Sequence, residues 1–173
     1  DDPLRRQEEL DALIHRTHEA GLQVVMDFIP NHVARSYHSD ACPEGTVDLG
    51  ATDDSSQAFS PRNNFYYLPD STLILPLSTS SSPYEEHPAR ATGNDCFSPR
   101  PTICDWYETV KLNYGVDYCG DGGLHADPLP DTWVKMRDIL LYWAGRGIDG
   151  FRCDMTELVP PEFWAWAIPE IKA

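Results

Sequence analysis

The clearest chemical signal in the sequence is an arginine and an aspartate placed two positions apart in a short segment with apolar neighbours. Residues 150–155 read Gly-Phe-Arg-Cys-Asp-Met. Because strand side chains alternate between faces, Arg152 and Asp154 are expected to point one way, and Phe151 and Cys153 the other. A cation and a carboxylate are thus presented together toward one interior of the protein. A buried structural ion pair is the alternative interpretation.

A second group of polar residues accompanies an earlier apolar segment. Residues 22–29 read Leu-Gln-Val-Val-Met-Asp-Phe-Ile, a pattern typical of a parallel strand covered on both faces, and Pro30 ends it. Asp27, Asn31 and His32 lie at its carboxyl end, where barrels and open parallel sheets place their ligands. Ordinary turn chemistry, with Asn31 and His32 capping the strand end, is the alternative.

Each of these two segments follows a predicted helix. Apolar residues recur at helical spacing from Leu4 to Ala20 and again from Asp131 to Ala144, after Pro130. The order helix, strand, long segment, helix, strand predicts a βαβ unit of the α/β class with a right-handed crossover.

The segment between these units has a different character. Residues 33–130 contain most of the Pro, Ser, Asn and Asp and show no sustained period. An irregular connection of that length is normally functional or a small subdomain. We therefore expect three parts, with boundaries at 1–32, 33–130 and 131–173.

Together the two motifs resemble conserved regions I and II of the α-amylase family of glycoside hydrolases (glycoside hydrolase family 13). The family's first region has an Asp, a short apolar spacer and Asn-His, matched by Asp27, Asn31 and His32. Its second region runs Gly-Phe-Arg-x-Asp, matched by Gly150, Phe151, Arg152 and Asp154. The resemblance implies a fragment of a (β/α)₈ TIM barrel, with the long segment at the place where the family inserts its domain B.

The resemblance also implies roles for individual residues. Asp154 would be the catalytic nucleophile, with Arg152 holding it ionised. His32 would hydrogen-bond the sugar in the subsite being cleaved, and Asp27 would support the same substrate-binding shell. Trp106 is a further candidate sugar contact because aromatic faces stack on sugar rings, although the favoured alternative is that its ring belongs to the core of the long segment.

A structural calcium ion is a further expectation. Asn31 matches the family position that often ligates calcium between the barrel and domain B, and calcium prefers oxygen donors. Other oxygen ligands could come from Asp48, Asp53, Asp54, Asp117 and Asp121. Glu157 and Leu158 stand where many α-amylases have Lys-His, which weakens the calcium expectation and leaves the exact substrate open.

The implied reaction is hydrolysis or transfer at an α-glucosidic bond with retention, on an α-glucan or oligosaccharide. This chemistry needs a second, protonated carboxyl group. The resemblance places that group beyond Ala173, so the chain is expected to be an inactive segment of a longer protein. The alternative is a non-catalytic relative that binds carbohydrate or a partner protein, although the presence of Asp154, Arg152 and His32 together argues against it.

Composition excludes some other classes. The net charge of -15 argues against nucleic-acid binding, which depends on clustered Lys and Arg. No apolar stretch approaches the roughly 20 residues of a membrane helix, so no membrane partner is expected. A phosphate-binding βαβ domain is disfavoured because neither strand is followed by a glycine-rich loop. Five cysteines without CxxC spacing leave the compartment open.

Overall fold

A computed structural model describes residues 3–39, 42–77 and 84–173 of the chain. The helices within these ranges are α1 (Pro3–Glu19), α2 (Asp131–Gly145) and α3 (Pro161–Ile171), with a 3₁₀ turn at Thr156–Leu158. The strands are β1 (Val25–Phe28), β2 (His32–Ala34), β3 (Tyr67–Leu68), β4 (Ala89–Arg90), β5 (Thr109–Lys111) and β6 (Gly150–Cys153). None of the helices in these ranges is long and apolar enough to cross a membrane.

Strands β1 and β6 pair in parallel, which confirms the predicted arrangement of the two motif-bearing segments. Val25 lies opposite Gly150 and Phe28 opposite Cys153. The backbone N–H of Asp149 donates to Val24 at 3.0 Å and that of Asp154 to Phe28 at 2.9 Å, so the ladder extends past both ends. Helix α2 lies between the strands in sequence, as a parallel crossover requires.

The two parallel strands are more exposed than the sequence suggested. Val25 is 63% exposed and Ile29 47%, whereas the apolar run predicted a strand covered on both faces. The physical reason is that each strand has one neighbour in a two-stranded sheet, and burial of such a strand on both faces needs further helices and strands. Phe28 is buried, so one face is covered.

Residues 33–130 form short antiparallel pairs joined by turns. β2 pairs with β5, and β3 with β4. Buried aromatic and aliphatic side chains fill the space between them, namely Phe65, Tyr66, Tyr67, Val110, Leu112 and Tyr114. The hydroxyl of Tyr114 donates to the carbonyl of Pro30 at 2.8 Å, so this packing reaches the end of β1.

Helices α2 and α3 close the core on one side of the strands. Trp133, Met136 and Leu140 lie on the buried face of α2, which the helical spacing predicts. Phe163 and Ala167 of α3 are fully buried against it. The indole N–H of Trp133 donates to the carbonyl of Tyr114 at 3.0 Å, so α2 is also attached to the long segment.

Candidate active site

Arg152 in β6 and Asp154, which follows the strand directly, lie side by side, as the strand period predicts. Arg152 Nη1 is 2.8 Å from Asp154 Oδ1 and 3.7 Å from Asp27 Oδ2 across the parallel pair. The Arg152 side chain is 59% exposed and that of Asp27 is 70% exposed. An ion pair this exposed contributes little to folding. In this chain the pair is therefore partly exposed rather than buried.

The backbone turns sharply immediately after Asp154. Met155 has a φ of 51°, in the left-handed region, and caps the 3₁₀ turn that follows. Asp154 thus lies at the carboxyl end of the strand, with its side chain 30% exposed.

His32 starts β2, one residue beyond the buried Asn31. Burial lowers the pKa of His32, the carboxylate of Asp154 opposes this shift, and the Lys111 ammonium adds to it. The Asn31 amide nitrogen lies 3.3 Å from His32 Nδ1. Since an amide nitrogen only donates, Nδ1 accepts, and the proton of the neutral ring resides on Nε2. The Nε2–H group of His32 is therefore available to donate a hydrogen bond.

Trp106 stands beside His32. Their ring centroids are 5.4 Å apart at an interplanar angle of 59°. The Trp106 backbone is held by Asn94 Oδ1, which accepts from its N–H at 3.0 Å, and by the Thr109 hydroxyl, which donates to its carbonyl at 2.7 Å. Trp106 is partly exposed, whereas Tyr114, another aromatic residue of the long segment, is buried. Of the two, Tyr114 is the one that packs in the core.

A cleft of about 450 Å³ brings three of the predicted residues together. His32, Trp106 and Asp154 line it, although they come from the start of β2, the long segment and the end of β6. Asp27 and Arg152 are not among its lining residues and lie beside it on the strand pair. The lining also includes residues that sequence reasoning did not select, namely Asp105, Tyr107, Glu108, Thr109 and Met155.

Beside the cleft, Gly93 packs so closely against Thr109 and His32 that a side chain at this position would collide with them. A Cβ atom on Gly93 would lie 2.8 Å from Thr109 Oγ1 and 2.9 Å from the Cβ of His32. The Gly93 N–H donates to Thr109 Oγ1 at 3.0 Å. No spacing or period in residues 89–111 marks this contact, so Gly93 and Thr109 could not be selected from the sequence.

Asn31 does not fit the expected calcium ion. Its side chain is buried, its amide nitrogen donates to the Gly93 carbonyl at 2.7 Å, and its oxygen accepts from Lys111 Nζ at 3.0 Å. Lys111 Nζ also lies 2.6 Å from Asp95 Oδ1. Burial lowers the pKa of Lys111, and the hydrogen bond to Asp95 opposes that shift. The only oxygen that the Asn31 side chain could offer to a metal thus faces an ammonium group.

The carboxylates considered as further calcium ligands have other partners. Asp48 accepts from the Tyr37 hydroxyl at 2.7 Å, and Asp53 from the N–H groups of Asn64 and Phe65. Asp117 and Asp121 form a separate group with His125, in which the potential ligand atoms lie within 4.8 Å of one another. His125 already bonds Asp121 within that group.

The chain is similar in sequence to several known proteins. No family model matches the chain. It is 38% identical over 104 residues to an alpha-1,4-glucan:maltose-1-phosphate maltosyltransferase from Burkholderia pseudomallei, covering 60% of this chain and 9% of the relative. It is 26% identical over 151 residues to maltase 1 from Drosophila virilis, covering 85% of this chain and 20% of the relative. The chain thus spans about a tenth to a fifth of the length of these relatives.

A solved structure shares the fold. The chain superposes on the cyclic alpha-maltosyl-(1→6)-maltose hydrolase from Arthrobacter globiformis, in complex with maltose, with a TM-score of 0.52 and 20% identity. The match covers 96% of this chain and 28% of the hydrolase. Both sequence motifs lie at the ends of one parallel strand pair, and these similarities support the resemblance of the chain to the α-amylase family of glycoside hydrolases.

Proposed function

We propose that the protein carrying this chain is a retaining hydrolase or transglycosylase of α-glucosides, acting on starch-like or related α-glucans, with Asp154 as its nucleophile. The observation that carries the proposal is the cleft in which Asp154, His32 and Trp106 meet. A carboxylate, a hydrogen-bond donor and an aromatic face are the groups that a sugar subsite needs at the point of cleavage.

Asp154 is suited to attack the anomeric carbon. Arg152 donates to it at 2.8 Å and holds it at the carboxyl end of β6, in the cleft. Attack would form a covalent glycosyl–enzyme ester while the leaving oxygen takes a proton from a second carboxyl group roughly 5 Å away. Water or a second sugar hydroxyl would then attack the ester and release Asp154. The family resemblance places the proton donor outside this chain.

His32 and Trp106 would position the sugar. With its proton on Nε2, His32 can donate to a hydroxyl of the ring being cleaved. The Trp106 face would cover the apolar side of the same or the next ring. Asp27, 3.7 Å from Arg152, would help to orient that guanidinium.

The same proposal assigns the parts of the chain. Residues 1–32 and 131–173 would supply two neighbouring strands of a (β/α)₈ barrel and their helices, and residues 33–130 would be the domain-B-like insertion over its carboxyl end. A barrel of this type takes roughly 250 residues and eight strands. The 173-residue chain alone is therefore expected to be inactive. Hydrolysis of a maltooligosaccharide by the purified segment, lost in Asp154→Asn, would contradict this.

Covalent trapping tests the assignment directly. The full-length protein is treated with a fluorinated α-glucosyl inhibitor that forms a slowly hydrolysed ester, and the labelled peptide is identified by mass spectrometry. We expect the label on Asp154 both in the wild type and, whatever the rate of labelling, in Asp27→Asn, because Asp27 does not line the cleft. A label on a different carboxylate would refute the nucleophile assignment. Oligosaccharide binding without any labelling or turnover would favour the non-catalytic alternative.

A further inference from the structure

The ammonium group of Lys111 is buried among oxygen atoms and an aromatic face. The residue is 2% exposed. Its Nζ lies 3.0 Å from Asn31 Oδ1, 2.6 Å from Asp95 Oδ1 and 5.4 Å from the centroid of the Tyr118 ring. Calcium ions in proteins are bound by oxygen ligands such as an amide carbonyl and a carboxylate. Here oxygen atoms of the same kinds surround the ammonium group of a lysine side chain.

The groups around Lys111 come from separate parts of the chain. Asn31 follows β1, whereas Asp95 and Tyr118 belong to the long segment at 33–130. The backbone N–H of Lys111 donates to the Ala91 carbonyl at 3.0 Å, which places the lysine firmly within that segment. Lys111 therefore joins the end of a parallel strand to the insertion, which is the task expected of the calcium ion.

A calcium ion and this ammonium exclude each other at Asn31. Calcium would have to approach the amide oxygen to about 2.4 Å, while Nζ already lies 3.0 Å from the same atom. Two positive charges a few ångströms apart in a buried place repel strongly. Rotating the Asn31 amide would break its 2.7 Å bond to Gly93 and turn the NH₂ group toward the ammonium.

We propose that the Lys111 ammonium is a built-in substitute for a calcium ion, so that the protein binds no divalent metal at Asn31 and needs none to hold the insertion to the barrel strand. This inference does not depend on the glycosidase activity proposed above, because its test measures metal binding and unfolding only.

Calcium-binding stoichiometry provides the first test. The full-length protein and its Asn31→Ala variant are stripped with a chelator and titrated with calcium chloride by isothermal titration calorimetry. We expect the same number of calcium ions per chain in both proteins, whatever other sites the protein has. One equivalent fewer in Asn31→Ala, together with a lower Tm of the wild type on chelation, would overturn the proposal.

Removal of the charge provides the second test. Lys111→Met keeps most of the side-chain volume but leaves Asp95 and the Asn31 oxygen without their cation. We expect its Tm to fall by about 3 °C or more in chelator, and calcium to restore part of that loss. Val110→Ala is the matched control, since it weakens the same strand by a cavity and changes no charge, so calcium should not restore its Tm. A Tm for Lys111→Met equal to that of the wild type, with and without calcium, would show that the lysine does not hold the long segment to the end of β1.

Discussion

The rings of His32 and Trp106 lie 5.4 Å apart and together form one wall of the cleft that Asp154 enters. His32 opens β2, shortly after the parallel strand β1, and Trp106 lies in the long irregular segment. This wall of the cleft therefore depends on how the long segment is held against the end of β1.

Replacing Trp106 separates its two possible roles. Trp106→Ala is expected to lower kcat/KM about tenfold, mainly through KM, because the variant loses a stacking face and little core packing. Trp106→Phe should retain most of the activity. Steady-state kinetics and thermal unfolding are measured on both variants. A large fall in Tm with an unchanged KM would assign Trp106 to the core of the insertion instead.

Asp154→Asn is expected to lower kcat by at least about 10³-fold while oligosaccharide binding changes by less than about tenfold, because the amide keeps the shape but cannot attack carbon. Turnover and calorimetric binding of a maltooligosaccharide check this. Asp27→Asn is the control, since it removes the other carboxylate near Arg152 but none that lines the cleft. Equal losses of turnover in the two variants would contradict a unique role for Asp154.

Arg152→Lys is expected to lower kcat by about tenfold or more. The guanidinium donates to Asp154 and lies near Asp27 at once, and a single flexible ammonium cannot reproduce that fork. The Tm should change little because the side chain is largely exposed. Activity within a factor of about two of the wild type would reduce Arg152 to a surface charge.

The lowered pKa of His32 has a consequence for stability. Burial disfavours the charged ring in the folded state, so the unfolded chain binds the proton more readily. The contribution of neutral His32 is fully present above its ordinary pKa of 6.5 and is lost as the pH falls through and below that value. The Tm of the wild type should therefore fall more steeply on acidification than that of His32→Gln. Parallel curves for the two proteins would show that the ring titrates as it does in the unfolded chain.

Local patterns in the sequence were sufficient for the parts of the site that lie on regular elements. The alternation of side chains along β6 places Arg152 and Asp154 on one face, and the helical spacing of Trp133, Met136 and Leu140 defines the buried face of α2. These predictions succeed because period and face are properties of a strand or helix by itself.

The surroundings of Asn31 could not be predicted in this way. Its amide oxygen was expected to be a calcium ligand, because the family resemblance implied one at this position. Lys111 lies far along the chain, in a segment without sustained period, and only antiparallel pairing of β2 with β5 brings it to the end of β1. A lysine in an irregular segment is normally exposed, so its burial had no sequence signal.

The sequence alone thus determined the two motif-bearing strands, their parallel order and the identity of the groups at their ends, because these depend on local period and on short spacings. The tertiary structure alone decided that Trp106 and Thr109 form the wall beside His32, and that Lys111 rather than another group meets Asn31. Those contacts join residues far apart in the chain, and they are selected by how the insertion packs as a whole rather than by any pattern within it.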